Sequence, residues 1–154
     1  MTDAPNLVIE TAKPADAEIL AKYNILMAQE TESKSLDPET VLAGVQGVFA
    51  DPRRGRYLVA RRGDQVIGQL MVTLEWSDWR NGEIWWIQSV YVPSEHRGRG
   101  VFRALYGALQ REAGAKEDVV GLRLYVEYEN EVAKRVYESL GMTSGGYLVM
   151  ECMK

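Results

Sequence analysis

Apolar positions along the 154-residue chain recur in two rhythms, one close to two residues and one close to 3.6, and the two alternate in blocks. Leu7-Val8-Ile9-Glu10-Thr11 is short and β-branched and predicts a strand. Pro14 then stands early in a helix whose apolar positions are Ala17, Leu20, Ala21, Tyr23 and Met27, with start signals between Thr11 and Asp16. The pattern breaks over Glu30–Ser35, which predicts a loop. Asp37-Pro38-Glu39 opens a second helix with Val41, Leu42, Val45, Val48 and Phe49 on its inner side, and Asp51-Pro52 closes it.

Strand patterns follow. Tyr57–Arg61 and Gln65–Trp76 flank the tight turn Arg62-Gly63-Asp64 and predict a hairpin. Ser77–Gly82, with its Asn81-Gly82 pair, turns the chain into a third strand over Glu83–Val92. A helix is predicted from Val101 to about Glu112, ended by Gly114, and then a strand over Val120–Tyr128 beside Glu83–Val92. Asn130 caps a helix with Ala133, Val136, Tyr137 and Leu140 on one face, stopped by Gly141. Met142–Lys154 predicts returning strand, a last hairpin interrupted at Gly145-Gly146. The order β-α-α-β-β-β-α-β-α-β-β places the chain in the α/β class. The hairpins force antiparallel pairing, which excludes an all-parallel doubly wound sheet. The expectation is one domain over residues 1–154, a central, mostly antiparallel sheet flanked by helices.

Composition narrows the function classes. The net charge of −4 lacks the basic character of a general nucleic-acid binder. Apolar residues make up 46% of the chain, ordinary for a globular core, but no run approaches the roughly 20 residues of a membrane span. The single cysteine, Cys152, allows no internal disulfide and fits a reducing compartment. Met1–Asn6 shows no basic or apolar leader pattern, so a cytoplasmic location is expected. One histidine and one cysteine give no metal-ligand cluster.

The chemistry gathers between Gln88 and Ala104. Ser89-Val90-Tyr91-Val92 is a strand end, and Pro93, which has no N–H, stops the ladder. Arg97-Gly98-Arg99-Gly100 follows and leads at once into Val101, Leu105, Ala108 and Leu109, a helix face. The first amides of a helix have no partner within it and carry the positive end of its dipole. Glycines let backbone approach an anion, and arginines fork onto phosphate oxygens. Such a turn is a diphosphate cradle in form. A surface turn that binds nothing would carry the same residues. The P-loop pattern is absent, and Gly98-Arg99-Gly100-Val101-Phe102-Arg103 lacks the third glycine of the dinucleotide pattern.

Arg97-x-x-Gly100 behind Val90-Tyr91-Val92 resembles the acetyl-CoA loop of the GCN5-related N-acetyltransferase (GNAT) family, Gln/Arg-x-x-Gly-x-Gly/Ala, with Phe102 in place of the last small residue. Asn130, Ala133, Tyr137 and Leu140-Gly141 resemble the second signature of that family. The resemblance implies a splayed mixed sheet and acetyl-CoA as co-substrate. Val90, Tyr91, Val92, Arg97, Gly98, Arg99, Gly100, Val101, Phe102 and Asn130 would then hold the cofactor. Val90–Val92 would part from the strand over Val120–Tyr128 and bind the pantetheine arm as an added strand. Tyr137 would protonate the departing sulfur, a role its chemistry suits: a phenol with pKa near ~10 keeps its proton at neutral pH. Taken singly, Tyr137 also reads as a core aromatic and Asn130 as a plain helix cap.

Family members carry a basic glutamate four residues before the splayed segment or five before the asparagine; here those positions hold Trp86 and Tyr125. Glu75, Glu83 and Glu127 are nearby carboxylates that would need a water relay, or are simply solvated. His96 reads as a phosphate or solvent contact. The acceptor would enter between the first two helices and the last hairpin, near Glu30 and Glu32, whose carboxylates suit an amine. Trp76, Trp79, Trp85 and Trp86 read foremost as core and hairpin packing, with Trp86 as the candidate on an acceptor wall. The expected activity is direct acetyl transfer to a primary amine on a small molecule or peptide, without metal. Transfer of a longer acyl group, and a CoA-binding sensor without turnover, remain as alternatives. Pairing of two chains through the last hairpin is left open.

Overall fold

The computed structural model describes residues 6–154. Five strands form one open sheet in sequence order: β1 (Leu7–Thr11), β2 (Arg56–Arg62), β3 (Gln65–Ser77), β4 (Gly82–Tyr91) and β5 (Val119–Leu124). The first three pairings are antiparallel, the second and third of them through hairpins, and β4 pairs β5 in parallel. Parallel neighbours need a crossover, and helix α3 (Val101–Gly114) supplies it.

Helices α1 (Ala17–Glu32) and α2 (Pro38–Ala50) pack together, and α1 also packs on β4. Their side of the sheet carries a core of Leu20, Tyr23, Val45, Val48, Tyr57 and Val59. On the other face α3 lies on β3, β2 and β5. Leu105 and Leu109 are fully buried there, as their spacing predicts. The approach is close at Gly68 of β3, where a Cβ would stand 2.7 Å from Val101 Cγ1 and 3.3 Å from Leu105 Cδ1. Asp37 caps α2, its Oδ2 accepting from the Thr40 amide at 2.9 Å and the Thr40 hydroxyl at 2.5 Å.

Two compact units divide at Leu124. The first contains the whole sheet and α1–α3. The second, Tyr125–Lys154, contains α4 (Glu131–Ser139), which Asn130 caps by accepting from the Ala133 amide at 3.1 Å.

The structure corrects four expectations. Helix α1 continues through Glu30 to Glu32 and ends only at left-handed Ser33, whose amide bonds the Ala28 carbonyl; the Thr31 hydroxyl is taken up by the Met27 carbonyl at 2.7 Å rather than breaking the helix. The last predicted strands are shorter or absent: β5 stops at Leu124 rather than Tyr128, and residues 142–154 form neither a strand nor a last hairpin. Pairing of β5 with β4 ends at Ile87 opposite Leu124, so the ladder that would have carried 125–128 is gone. In the tail, Tyr147, Leu148, Val149 and Met150 have strand-like composition, but β-propensity expresses itself only against a neighbour. Finally, of the four tryptophans only Trp85 is core; Trp76 and Trp79 are 62% and 84% exposed.

Candidate active site

Strand β4 bends before it ends. Gln69 of β3 faces Tyr91, and two residues on Met71 faces Gln88, so β4 takes three steps where β3 takes two. The extra residue makes a β-bulge, and Ser89 within it is left-handed at φ 50°. The bulge changes which way the strand end points. Trp85 faces α3, since Arg56 lies over its ring and pairs with Glu112 of α3 at 2.9 Å. Strict alternation would send Tyr91 to that same side. Instead Tyr91 enters the α1 core, its ring 5.2 Å from that of Tyr23.

There Tyr91 donates its hydroxyl to Glu30 Oε1 at 2.8 Å. Arg97 closes the cluster. Its Nη2 donates to Glu30 Oε2 at 2.5 Å, its Nε donates to the Val92 carbonyl at 2.7 Å, and its guanidinium lies 5.5 Å from the Tyr91 ring centre. The Arg97 hydrogen bond holds the Glu30 carboxyl below its ordinary range, against burial and with help from Tyr91. Burial, reinforced by the Glu30 carboxylate, pushes the Tyr91 phenol up to about 12. Glu30 thus joins α1 to the glycine turn. Glu32 does not share this place; it pairs with Lys34 at 2.8 Å in solvent.

The turn itself has the expected form. Gly98 and Gly100 are left-handed at φ 71° and 78°, and a Cβ on either would meet nothing within 4 Å. Gly100 is the cap residue of α3, and among the described residues no side chain caps the helix there; the leading amides of such a helix start suit an anion. Val101 is buried under Gly68, Phe102 is half-buried with its ring 6.1 Å from that of Tyr106, and Arg99 and Arg103 are exposed. A small residue is not needed at 102 for α3 to seat, because Gly68 makes the close approach instead. His96 departs from expectation: both of its ring nitrogens are shut away from solvent, with no hydrogen-bond partner among the described residues.

On the α1 side of the sheet, Trp86 is half-buried and donates its indole N–H to Glu75 Oε2 at 3.1 Å; Arg123 of β5 donates to the same oxygen at 3.0 Å. A carboxylate therefore lies beside Trp86 after all, delivered by the neighbouring strand. In the second unit, Asn130 and Tyr137 stand at the two ends of α4. Tyr137 is half-buried, and burial raises its pKa above the ordinary phenol value.

Sequence reasoning missed Gln69 and Ser89. Gln69 is fully buried beneath the bulge, donating to Asn24 Oδ1 at 2.8 Å and to the Ser89 carbonyl at 3.1 Å. A glutamine inside the apolar run Val66-Ile67-Gly68-Gln69-Leu70 was the available signal.

Comparison with known proteins agrees with this architecture. The model of the acetyltransferase (GNAT) family matches residues 19–142. The crystal structure of a possible acetyltransferase from Clostridium difficile 630 is 43% identical, with a TM-score of 0.90 over 96% of this chain and 97% of that one. At the level of fold alone, ribosomal-protein-alanine N-acetyltransferase from Brucella melitensis biovar Abortus 2308 is similar at 18% identity and TM-score 0.79, over 97% and 100% of the two chains. Glucosamine-6-phosphate N-acetyltransferase from Arabidopsis thaliana is similar at 18% and 0.70, over 97% and 99%. No curated protein matches the sequence. The glycine turn at the head of α3, the bulged β4 and a family match over most of the chain make this protein a member of the GNAT acetyltransferase family.

Proposed function

We propose that the protein is an acetyl-CoA-dependent N-acetyltransferase that moves the acetyl group directly to a primary amine. The observation that carries this is the left-handed glycine pair at the uncapped start of α3, set where β4 has left β5. Backbone amides from Gly98 to Phe102 would hold the diphosphate, and Arg99 would add charge. Bound there, acetyl-CoA supplies an activated acyl carbon. Val90–Val92 offers peptide groups no longer engaged by β5, which suits the pantetheine arm. Asn130 would contact that arm, and the Tyr137 hydroxyl would hand its proton to the departing sulfur. Its raised pKa keeps it protonated at neutral pH.

Arg97 is a diphosphate ligand only when it exchanges Glu30 for phosphate. Glu30 is then left to meet the acceptor ammonium, with Trp86 on the same side of the sheet as the aromatic wall. The nitrogen acceptor is supported by the two N-acetyltransferases that share the fold. A thiol-release assay with acetyl-CoA and a panel of primary amines is the test. Thiol release that depends on one class of amine is expected; tight acetyl-CoA binding with no release for any amine would leave a sensor in its place.

A further inference from the structure

Gln69 is costly where it stands. It is fully buried, and its Oε1 has no hydrogen-bond partner among the described residues. A buried acceptor without a partner destabilises a fold. Its other end explains its place. Nε2 bridges Asn24 Oδ1 and the Ser89 carbonyl, and Asn24 in turn donates to the Tyr57 hydroxyl at 3.2 Å. Tyr57, raised by burial, is also hydrogen-bonded to Ser89. Side chains from β2 and β3 therefore meet one residue of β4, the one with the left-handed backbone, and Asn24 of α1 braces both of them.

Ser89 is where β4 changes sides. A serine at φ 50° is strained, and the strain persists only where neighbours over-determine it. Drawing the Ser89 carbonyl inward turns the following peptide groups, those of Val90 to Val92, and sends Tyr91 toward α1. We propose that Gln69 is a positioning residue: through the Ser89 carbonyl it locks the β4 bulge, and the bulge aims the Val90–Val92 peptide groups at the acyl-CoA thioester. This rests on the acetyl-CoA assignment above. Gln69 touches no reacting atom.

The test is epistasis between Gln69 and Ser89. Gln69→Leu should lower kcat/KM for acetyl-CoA at least about tenfold in protein still fully folded at the assay temperature, since misplacement by an ångström is that expensive. The melting temperature should fall modestly, because Asn24 Oδ1 and the Ser89 carbonyl lose their donor. Glycine adopts φ 50° without strain, so Ser89→Gly added to Gln69→Leu should restore most of the lost activity. Ser89→Val, which keeps the carbonyl that Gln69 bonds, gives up the hydroxyl that Tyr57 meets and makes the left-handed backbone costlier, should show the Gln69→Leu defect by itself. Wild-type kinetics in Gln69→Leu would overturn the proposal. So would a loss that tracks melting temperature and is not rescued by glycine, because that is a packing role. Amide exchange at Val90 and Tyr91 is read in parallel, without substrate. Altered protection in Gln69→Leu, reversed by Ser89→Gly, is expected even if the protein proves not to use acetyl-CoA, and unchanged protection refutes the positioning role independently of that assignment.

Discussion

In the proposed reaction Tyr137 and Glu30 would play different parts, because their surroundings shift their pKa values in opposite directions. Burial raises the phenol, so it keeps its proton across the neutral range. Removing its hydroxyl in Tyr137→Phe should lower kcat about 100-fold and leave CoA affinity unchanged, as binding and turnover measured separately would show. Glu30 is held low chiefly by Arg97, so it is ionised above the ordinary carboxylate range and protonates only below it. The bridge to Arg97 is present at neutral pH and lost as pH falls through the depressed pKa. Both side chains are substantially exposed, so the bridge contributes little to stability. Its effect lies in competition: Glu30→Gln should tighten CoA severalfold at low salt by releasing Arg97 to the diphosphate. The gain should fade at high ionic strength. It should also vanish at a pH low enough to protonate wild-type Glu30. Calorimetric titration across salt and pH checks this, and unaltered affinity would make Arg97 a fixed strut between α1 and the turn.

At the scale of elements, the head of α3 is held in place by an absence. Gly68 lets Val101, the first helical residue, approach β3 closely. A methyl group there meets a short, buried valine that cannot swing aside. Gly68→Ala should destabilise the fold by about 2 kcal/mol in a denaturant titration, the usual cost of overpacking. It should also weaken CoA binding, because the helix end that moves is the one carrying the leading amides. A stability loss with unchanged CoA affinity would show that the turn adjusts independently of the helix. The β4 bulge works at the same scale. Pairing of β4 with β5 ends at Ile87 opposite Leu124, and the extra residue just beyond reverses the facing of Tyr91.

For the whole molecule, ligand linkage gives the broadest check. CoA at about 100 times its dissociation constant should stabilise the protein by about 2.7 kcal/mol and raise Tm by roughly 8 °C for a chain of this size. A pantetheine fragment without the diphosphate should do far less in the same thermal scan, and equal shifts would place the diphosphate elsewhere. No described helix is long and apolar enough to cross a membrane.

Local signals determined much of this protein. The helix cap at Asp37, the hairpin turns, the Asn130 cap and the glycine turn before Val101 all depend on residues within a few positions of one another, and each is where the pattern puts it. Local pattern also overreached: strand-forming residues after Leu124 met no ladder, and Glu30 stayed helical because α1 runs on to the left-handed cap at Ser33. What only the tertiary structure decided lies in long-range pairings. Arg97 and Glu30 are 67 positions apart and Gln69 and Asn24 are 45 apart, and no local periodicity carries such information. The bulge at Ser89 belongs with them, since its left-handed backbone is met by polar groups from β2 and β3, braced by Asn24 of α1, rather than by the residues beside it.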